Sequence, residues 1–543
     1  MRRVQSLDQY VSVEARVFRS EPANHHGVGI CVKNDPRERR RASRYRFAVG
    51  YRPRGRRVRD KAFAVVVAVG LAAALLLPAA PVAGAPATAL PVPPIAWSNC
   101  PTNPGFLCAS VAVPIDYRAP TRGSLSIAVI ERPASTPHPA GQLLFNPGGP
   151  GESGVQVLPV FASLAPPPVL NQFDLVSFDE RGTGASSKLN CGPTLPVATS
   201  APPTPAAPAA PLPAAAVFAS MAASCRAKYP TLFAHVDSID AARDMDRIRS
   251  ALGASTISYW GISYGTVLGA QYARLFPARV RSMVLDGAVV PTEALTLQAQ
   301  QEAPPMATNL QHFFATCAAD PACPLNPNPP GPYLAVETQL ASNPLPSPAD
   351  GVPVTDGDLD TAALFYLTVP HFAGDFAHAV AAAGAGDGAP LRSMAVSFST
   401  DIDGSSVLGP LWTYTCNDAA DRPGGVAAGR LARALTRSNP PIGGFAVTYL
   451  LAGCVHWPAS SQAIPAITYG GRAPILVIGN SEDPNTPHVA AGVLARALHN
   501  ARLVTWRGFG HTWLLNGNDD PCTSRLVTGY LLNGVPPPNN SVC

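Results

Sequence analysis

With 543 residues and 47% hydrophobic content, the chain can fill a large core and hold two or three domains, and its 14% share of charged residues excludes a disordered polyelectrolyte. The formal charge of +5 is uneven: residues 1–61 hold 17 basic and 6 acidic side chains, so the rest, with 23 and 29, carries net −6. A mildly acidic body rich in Pro (60) and Gly (45) argues for a compact, loop-rich protein and against a nucleic-acid partner.

The N-terminus reads as an export signal. The basic run Arg52 to Lys61 leads into AFAVVVAVGLAAALLL, and PAAPVAGAPA follows with small residues. Basic, apolar and small-residue regions in that order predict a signal peptide over residues 58–85, cleaved after Ala85. The alternative, a membrane anchor, is disfavoured because the uncharged stretch Ala62 to Leu77 is short for a span and runs at once into prolines. No cysteine follows to carry a lipid, so no stable membrane partner is expected after cleavage, and the mature protein is expected to be secreted or associated with the cell envelope. Residues 1–57 form a basic extension without apolar pattern. Translation from Val58 through an alternative initiation codon would give a signal of ordinary length; detecting peptides from residues 1–57 in the cell proteome refutes that start.

After Trp97, Cys100 and Cys108 come two strand-like runs, Ala109 to Val113 and Ser124 to Ile130, and then a buried strand, Gln142 to Phe145. It ends in NPGGPGESG, a glycine and proline density that makes a fixed loop whose amides cannot all be satisfied internally. A second buried strand, Phe173 to Phe178, ends in DERGTGAS, where Asp179 and Arg181 are expected to brace the turn. The Ala/Pro segment between Cys191 and Cys225 has no apolar period and reads as a surface insertion. Ser238 is expected to cap a helix that buries Ile239, Met245, Ile248 and Leu252 and stops at Gly253.

Residues Thr256 to Phe276, TISYWGISYGTVLGAQYARLF, run from strand through tight turn to helix, with G-x-S-x-G at the turn. That pattern holds Ser263 on a strained elbow above the sheet, ready to act as a nucleophile once a base removes its proton. The amide of Tyr264 is the natural first donor to an oxyanion. The second is Gly149 in the upstream glycine loop, with Gly148 as the alternative. Val280 to Leu285 is one more strand. Alternating strands and helices predict an α/β fold with a mostly parallel sheet.

The rhythm stops at about residue 291. Residues 291–461 are Ala/Pro-rich and mainly helical, and are expected to form a lid inserted into the sheet domain, dividing it into parts 96–290 and 462–543. The rhythm returns with a strand, Ala473 to Ile478, running into GNSEDPNTP. A helix from about His488 to Leu498 follows, then a strand, Ala501 to Trp506, running into GFGHTW. The acid expected to orient the base is Asp483, just past a buried strand; Glu482 beside it and Asp286 after the preceding strand compete. Of the 11 histidines, His511 is the candidate base, because serine, acid, histidine is the chain order that this kind of elbow requires. No metal or cofactor is needed for such chemistry, and no matched C-x-x-C pairs suggest zinc.

With NPGGPGESG, DERGTG, GISYG, EDPNTP and GFGHT, the chain resembles the secreted tripeptidyl-aminopeptidase-like α/β-hydrolases, relatives of prolyl aminopeptidase. The likeness covers residues 96–543 and includes CNDAADRP at Cys416 and CVHWP at Cys454. It implies an α/β-hydrolase fold, removal of short N-terminal peptides, and Ser263, Asp483 and His511 in the catalytic positions. Family members are also described as carboxylesterases, so the resemblance implies a peptide or an ester substrate. A third reading, a non-catalytic binding protein on this scaffold, is opposed by the intact serine, acid and histidine. The chain departs from the family pattern at Glu152, in the glycine loop, and at Glu180. Either could hold a substrate ammonium group or face solvent, the latter being the expectation for Glu180. Setting aside Cys31, ten cysteines remain. Spacing and the resemblance together imply the pairs Cys100 with Cys108, Cys191 with Cys225, Cys317 with Cys323, Cys416 with Cys454, and Cys522 with Cys543. Oligomeric state is not specified by these motifs.

Overall fold

The computed structural model describes residues 92–191, 212, 214–346, 351–458 and 464–543. The basic extension, the expected signal peptide, most of the Ala/Pro segment before Cys225 and the expected boundary at residue 461 lie outside them. The strands are β1 (Ser98–Asn99), β2 (Leu107–Pro114), β3 (Ser124–Arg132), β4 (Gly141–Asn146), β5 (Phe173–Phe178), β6 (Ile257–Ile262), β7 (Val280–Asp286), β8 (Ile475–Glu482), β9 (Ala501–Phe509) and β10 (Ser541–Val542). They form one sheet in the order β1-β2-β3-β5-β4-β6-β7-β8-β9-β10. Pairings from β1 to β5 through β2 and β3 are antiparallel; from β5 onward all are parallel. Apart from the short edge strands β1 and β10, this is the α/β-hydrolase sheet.

Local sequence accounts for the difference between its halves. β6 is buried at every position, as a strand covered on both faces must be, whereas β3 alternates exposed and buried residues at its outer end. One face packs on the helices Gly154–Leu164 and Pro521–Asn533, around Phe145, Trp260 and Trp513; Phe145 stacks on Phe161 and Trp260 on Trp513. The other face packs on the helices Ser238–Ala251, Gly265–Leu275 and His488–Ala497. The first of these is capped by Asp237, which accepts the Asp240 amide, so the cap falls one residue before the expected Ser238.

Strand order reverses at β4, which lies between β5 and β6. A sheet of this kind opens a crevice at the carboxyl ends of the strands flanking such a reversal, because crossover helices leave in opposite directions there. The glycine loop follows β4 and Ser263 follows β6, so both stand at that crevice. β8 and β9 run farther than the sequence suggests, to Glu482 and Phe509, and β10, which the sequence reading missed, pairs with β9.

Between β7 and β8 the described residues hold eight α-helices, from Leu295–Ala319 to Phe445–Leu451. They are not a separate body, since the described residues all belong to one compact unit. Five disulfides join Cys100 to Cys108, Cys191 to Cys225, Cys317 to Cys323, Cys416 to Cys454 and Cys522 to Cys543. No described helix is long and apolar enough to cross a membrane.

Candidate active site

Ser263 follows β6 with φ 54°, a left-handed conformation costly for any residue with a β-carbon. Its amide donates to the Asp286 carbonyl at 2.9 Å, and Thr266 Oγ1 donates to the Ser263 carbonyl at 2.7 Å, so both sides of the elbow are pinned. The flanking glycines are required by space. A β-carbon on Gly261 would lie 2.3 Å from the Gly265 carbonyl oxygen, and one on Gly265 would lie 2.7 Å from Asn146 Oδ1.

Asn146 closes β4 and organises the glycine loop. Its Oδ1 accepts the Gly148 amide at 3.0 Å and its Nδ2 donates to Glu180 at 2.8 Å. The Gly148 amide is therefore spoken for, whereas those of Gly149 and Tyr264 have no acceptor among the described residues. Of the two amides expected as the second oxyanion donor, that of Gly149 is the one left unbonded among the described residues. Below the loop, the Asp179 carboxylate accepts from Ser153 Oγ, Ala185 N and Val155 N at 2.6, 2.7 and 3.0 Å. Arg181 grips Asp244 through two nitrogens at 2.6 and 2.7 Å.

Asp483 follows β8 and His511 follows β9. His511 Nδ1 lies 3.0 Å from each Asp483 oxygen, and the carboxylate also accepts the amides of Asn485, Thr486 and Thr512 and the Thr486 hydroxyl. The three main-chain donors and the hydroxyl fix the carboxylate, which fixes the ring. His511 Nε2, on the opposite side of the imidazole, is buried with no partner among the described residues. Ser263 and His511 line the same cavity. Their closeness runs through residues 286 and 287: the Asp286 carbonyl takes the serine amide, and a β-carbon on Gly287 would lie 3.2 Å from His511 Cε1.

Neither rival acid is bonded to the ring. The Asp286 carboxylate accepts the Trp513 and Leu514 amides at 3.0 and 2.9 Å, holding the turn just after the histidine. Glu482 makes no hydrogen bond to His511; its carbonyl accepts from Asn309. Glu152 is half-buried and lines the cavity beside His511. Glu180 does not face solvent as expected: it is 1% exposed, with one oxygen on Asn146. The DERGTG turn folds inward, because Arg181 beside it must reach Asp244 and several carbonyls in the interior.

The cleft has two lobes meeting at Ser263, Gly149 and Tyr449. One, of about 100 Å³, is lined by Tyr264, Glu293, Glu302 and Asp418. The other, of about 240 Å³, is lined by His511, Glu152 and a set of aromatic and aliphatic side chains. Of the acids in the inserted helices, Glu302 and Asp418 line the first lobe, while Asp375 is exposed. Asp418 accepts the Tyr264 hydroxyl at 2.8 Å and the Ser238 amide. Glu302 takes one bond from Gln298, and its other oxygen is buried without a partner among the described residues. Sequence reading missed Glu293, Asn146 and Thr486. Asn146, the residue closing a buried strand before the glycine loop, carried the one usable signal.

Burial dominates the electrostatics. It pushes Glu152, Asp286 and Asp418 up to about 7 and Glu180 up to about 8, and carries Glu302 well above the usual carboxylate range. Burial alone would lower the His511 pKa, but the Asp483 carboxylate, with Asp286 and Glu152 farther off, raises it above the ordinary 6.5.

Comparison with known proteins gives the family. Residues 440–543 match the family model described as TAP-like protein. Serine protease Hip1 of Mycobacterium tuberculosis is 30% identical over 499 residues, which cover 83% of this chain and 91% of that one. Carboxylesterase B of the same organism is 31% identical, with 80% and 86% covered. The tripeptidyl aminopeptidase of Streptomyces lividans is 28% identical, with 81% and 84% covered. The chain is a serine hydrolase and belongs to the tripeptidyl-aminopeptidase-like α/β-hydrolases.

Proposed function

We propose that the protein is an exported aminopeptidase that releases short N-terminal peptides through an acyl-enzyme on Ser263. The observation that carries this reading is the first lobe: Glu293, Glu302 and Asp418 line it without a single basic side chain among the lining residues. Carboxyl groups raised by burial and left without a cation bind one strongly when it arrives, because its charge restores their ionised forms. A substrate's free amino terminus is such a cation, and the lobe opens onto the serine.

In this mechanism His511 Nε2 takes the Ser263 proton as Oγ attacks the scissile carbonyl carbon. Asp483 holds Nδ1–H, so the neutral ring presents its lone pair to the serine. The Gly149 and Tyr264 amides receive the developing oxyanion. The imidazolium then protonates the leaving nitrogen, the C–N bond breaks, and water, deprotonated by the same ring, releases the acyl group. Export is supported by five disulfides, which form and persist in oxidising compartments.

The second reading, a carboxylesterase, is favoured by the large apolar lobe and by the carboxylesterase B relative. A matched set of amide and ester substrates with free or acetylated amino ends decides between them. Acetylation is expected to lower kcat/KM for peptides by roughly 10²-fold or more, about what leaving a buried polar or charged group unpaired costs. Equal cleavage of free and acetylated substrates would overturn the aminopeptidase.

Activity and stability are expected to move oppositely with pH. A carboxyl whose folded pKa lies near 7 or 8 holds a proton that the unfolded chain, at 3.8 to 4.5, has released. Raising the pH through that window therefore weakens the folded state, and the melting temperature should fall from about pH 5 to about pH 8. Turnover needs neutral His511, whose pKa is raised, so kcat/KM should climb over the same window. Scanning calorimetry and initial rates on the same buffers check both slopes.

A further inference from the structure

We infer that the 240 Å³ lobe is a specificity pocket for the residue following the scissile bond, and that the enzyme selects peptides in which this residue is aromatic or a large aliphatic. The inference rests on the aminopeptidase reading, which assigns the acidic lobe to the acyl side. The lobes share Ser263 and Gly149, but His511 lines only the apolar one, and Tyr264, Glu302 and Asp418 line only the acidic one. A histidine that has taken the serine proton gives it to the leaving nitrogen, so the departing half of the substrate lies on the histidine side. An amino terminus anchored in the acidic lobe directs the chain across Ser263 and into the apolar lobe. There Ser263 Oγ bonds to the carbonyl carbon, and the amine leaves with the His511 proton.

The walls of that lobe say what it takes. Val160 and Phe161 come from the helix after the glycine loop, and Phe365, Phe372, Phe398 and Phe445 from the helical insertion. Phe365 stacks on Phe372 at 5.1 Å between centroids and meets Phe398 edge-on at 6.3 Å. Phe365, Phe372 and Phe398 are only half-buried, and each lines the cavity. Aromatic surface facing an internal cavity is held away from any apolar partner until a ligand supplies one, and the hydrophobic effect then favours an apolar occupant. A dry cavity of about 150 Å³ holds a benzene ring, so this lobe accommodates a phenylalanine or leucine side chain with room for part of the next residue. A carboxylate at the same place would meet Glu152 and be repelled when that group is ionised.

The test uses free-amino peptides identical up to the scissile bond and bearing Phe, Leu, Gly or Asp immediately after it, run on the mature enzyme, with a parallel acetylated set. Phe and Leu are expected to exceed Gly in kcat/KM by roughly 10- to 100-fold, with Asp lowest. Val160→Trp, which fills the lobe, and Phe365→Ser, which removes an apolar wall, should each bring the Phe:Gly ratio toward one. Their melting curves are recorded alongside, and the wild-type ratio stands whether or not either variant folds. A Phe:Gly ratio near one in the wild type overturns the assignment, as does a ratio unchanged in a folded Val160→Trp protein. The two readings fail separately. Indifference to acetylation with the ratio intact removes the aminopeptidase and keeps the pocket; free-amine preference with no ratio removes the pocket alone.

Discussion

Ser263→Ala is expected to lower kcat by roughly 10⁶ while changing stability by no more than about 0.5 kcal/mol. The two halves of that expectation have separate causes. The catalytic loss follows from removing the only atom that can form the acyl-enzyme; what remains is the rate that the Gly149 and Tyr264 amides and substrate binding give to direct attack by water. The small effect on stability follows from the elbow being held by its backbone: the Ser263 amide and carbonyl are bonded to Asp286 and Thr266, and its hydroxyl has no partner among the described residues. Ser153→Ala is the contrasting control, because its hydroxyl donates to Asp179 at 2.6 Å and caps the following helix. It should destabilise by about 1 kcal/mol. Steady-state rates and denaturant unfolding on the two variants separate the predictions, and near-normal turnover in the Ser263 variant would remove the proposed nucleophile.

The second large effect is expected from Asp483→Asn, at roughly 10⁴ in kcat. An amide at that position can donate to Nδ1, forcing the ring into the tautomer whose Nε2 carries a proton and cannot accept one from the serine. The same substitution disturbs the three main-chain amides that converge on the carboxylate, so a fall in melting temperature should accompany it. Asp286→Asn supplies the discriminating partner. That carboxylate holds the Trp513 and Leu514 amides rather than the ring, so its loss should destabilise by about 1–3 kcal/mol and reduce kcat far less than the Asp483 change. If the two variants exchange these phenotypes, the orienting acid is Asp286 and the assignment made from chain order is wrong.

Much of this architecture was readable before folding because it is written locally. The elbow needs two glycines at fixed distances from a serine, and the buried parallel strands need continuous apolar runs; both leave their mark within a dozen residues. The pairing of Asp483 with His511 was legible for a different reason, since each follows its own strand in a chain order that few topologies allow. What escaped was set by distant contacts. Nothing near Glu180 announces that Arg181 will be drawn inward to Asp244, taking the turn with it. Which of Glu302, Asp375 and Asp418 look into the cleft depends on how the inserted helices rotate against the sheet. The aromatic lobe draws its walls from the segment after β4 and from helices more than two hundred residues later, so no window of sequence contains it. β10 is two residues long and pairs by register alone.

The inserted helices are stitched to the machinery beneath them. The His511 amide and the Asn516 side chain both donate to the Thr368 carbonyl, Thr368 Oγ1 meets Asn485, Asp401 accepts the Ser153 amide, and the Asp403 amide donates to Gln156. A roof fastened to the imidazole loop and to the glycine loop cannot swing open without dismantling the geometry it covers. Substrate is therefore expected to enter beneath a fixed roof, with no hinged opening to admit it.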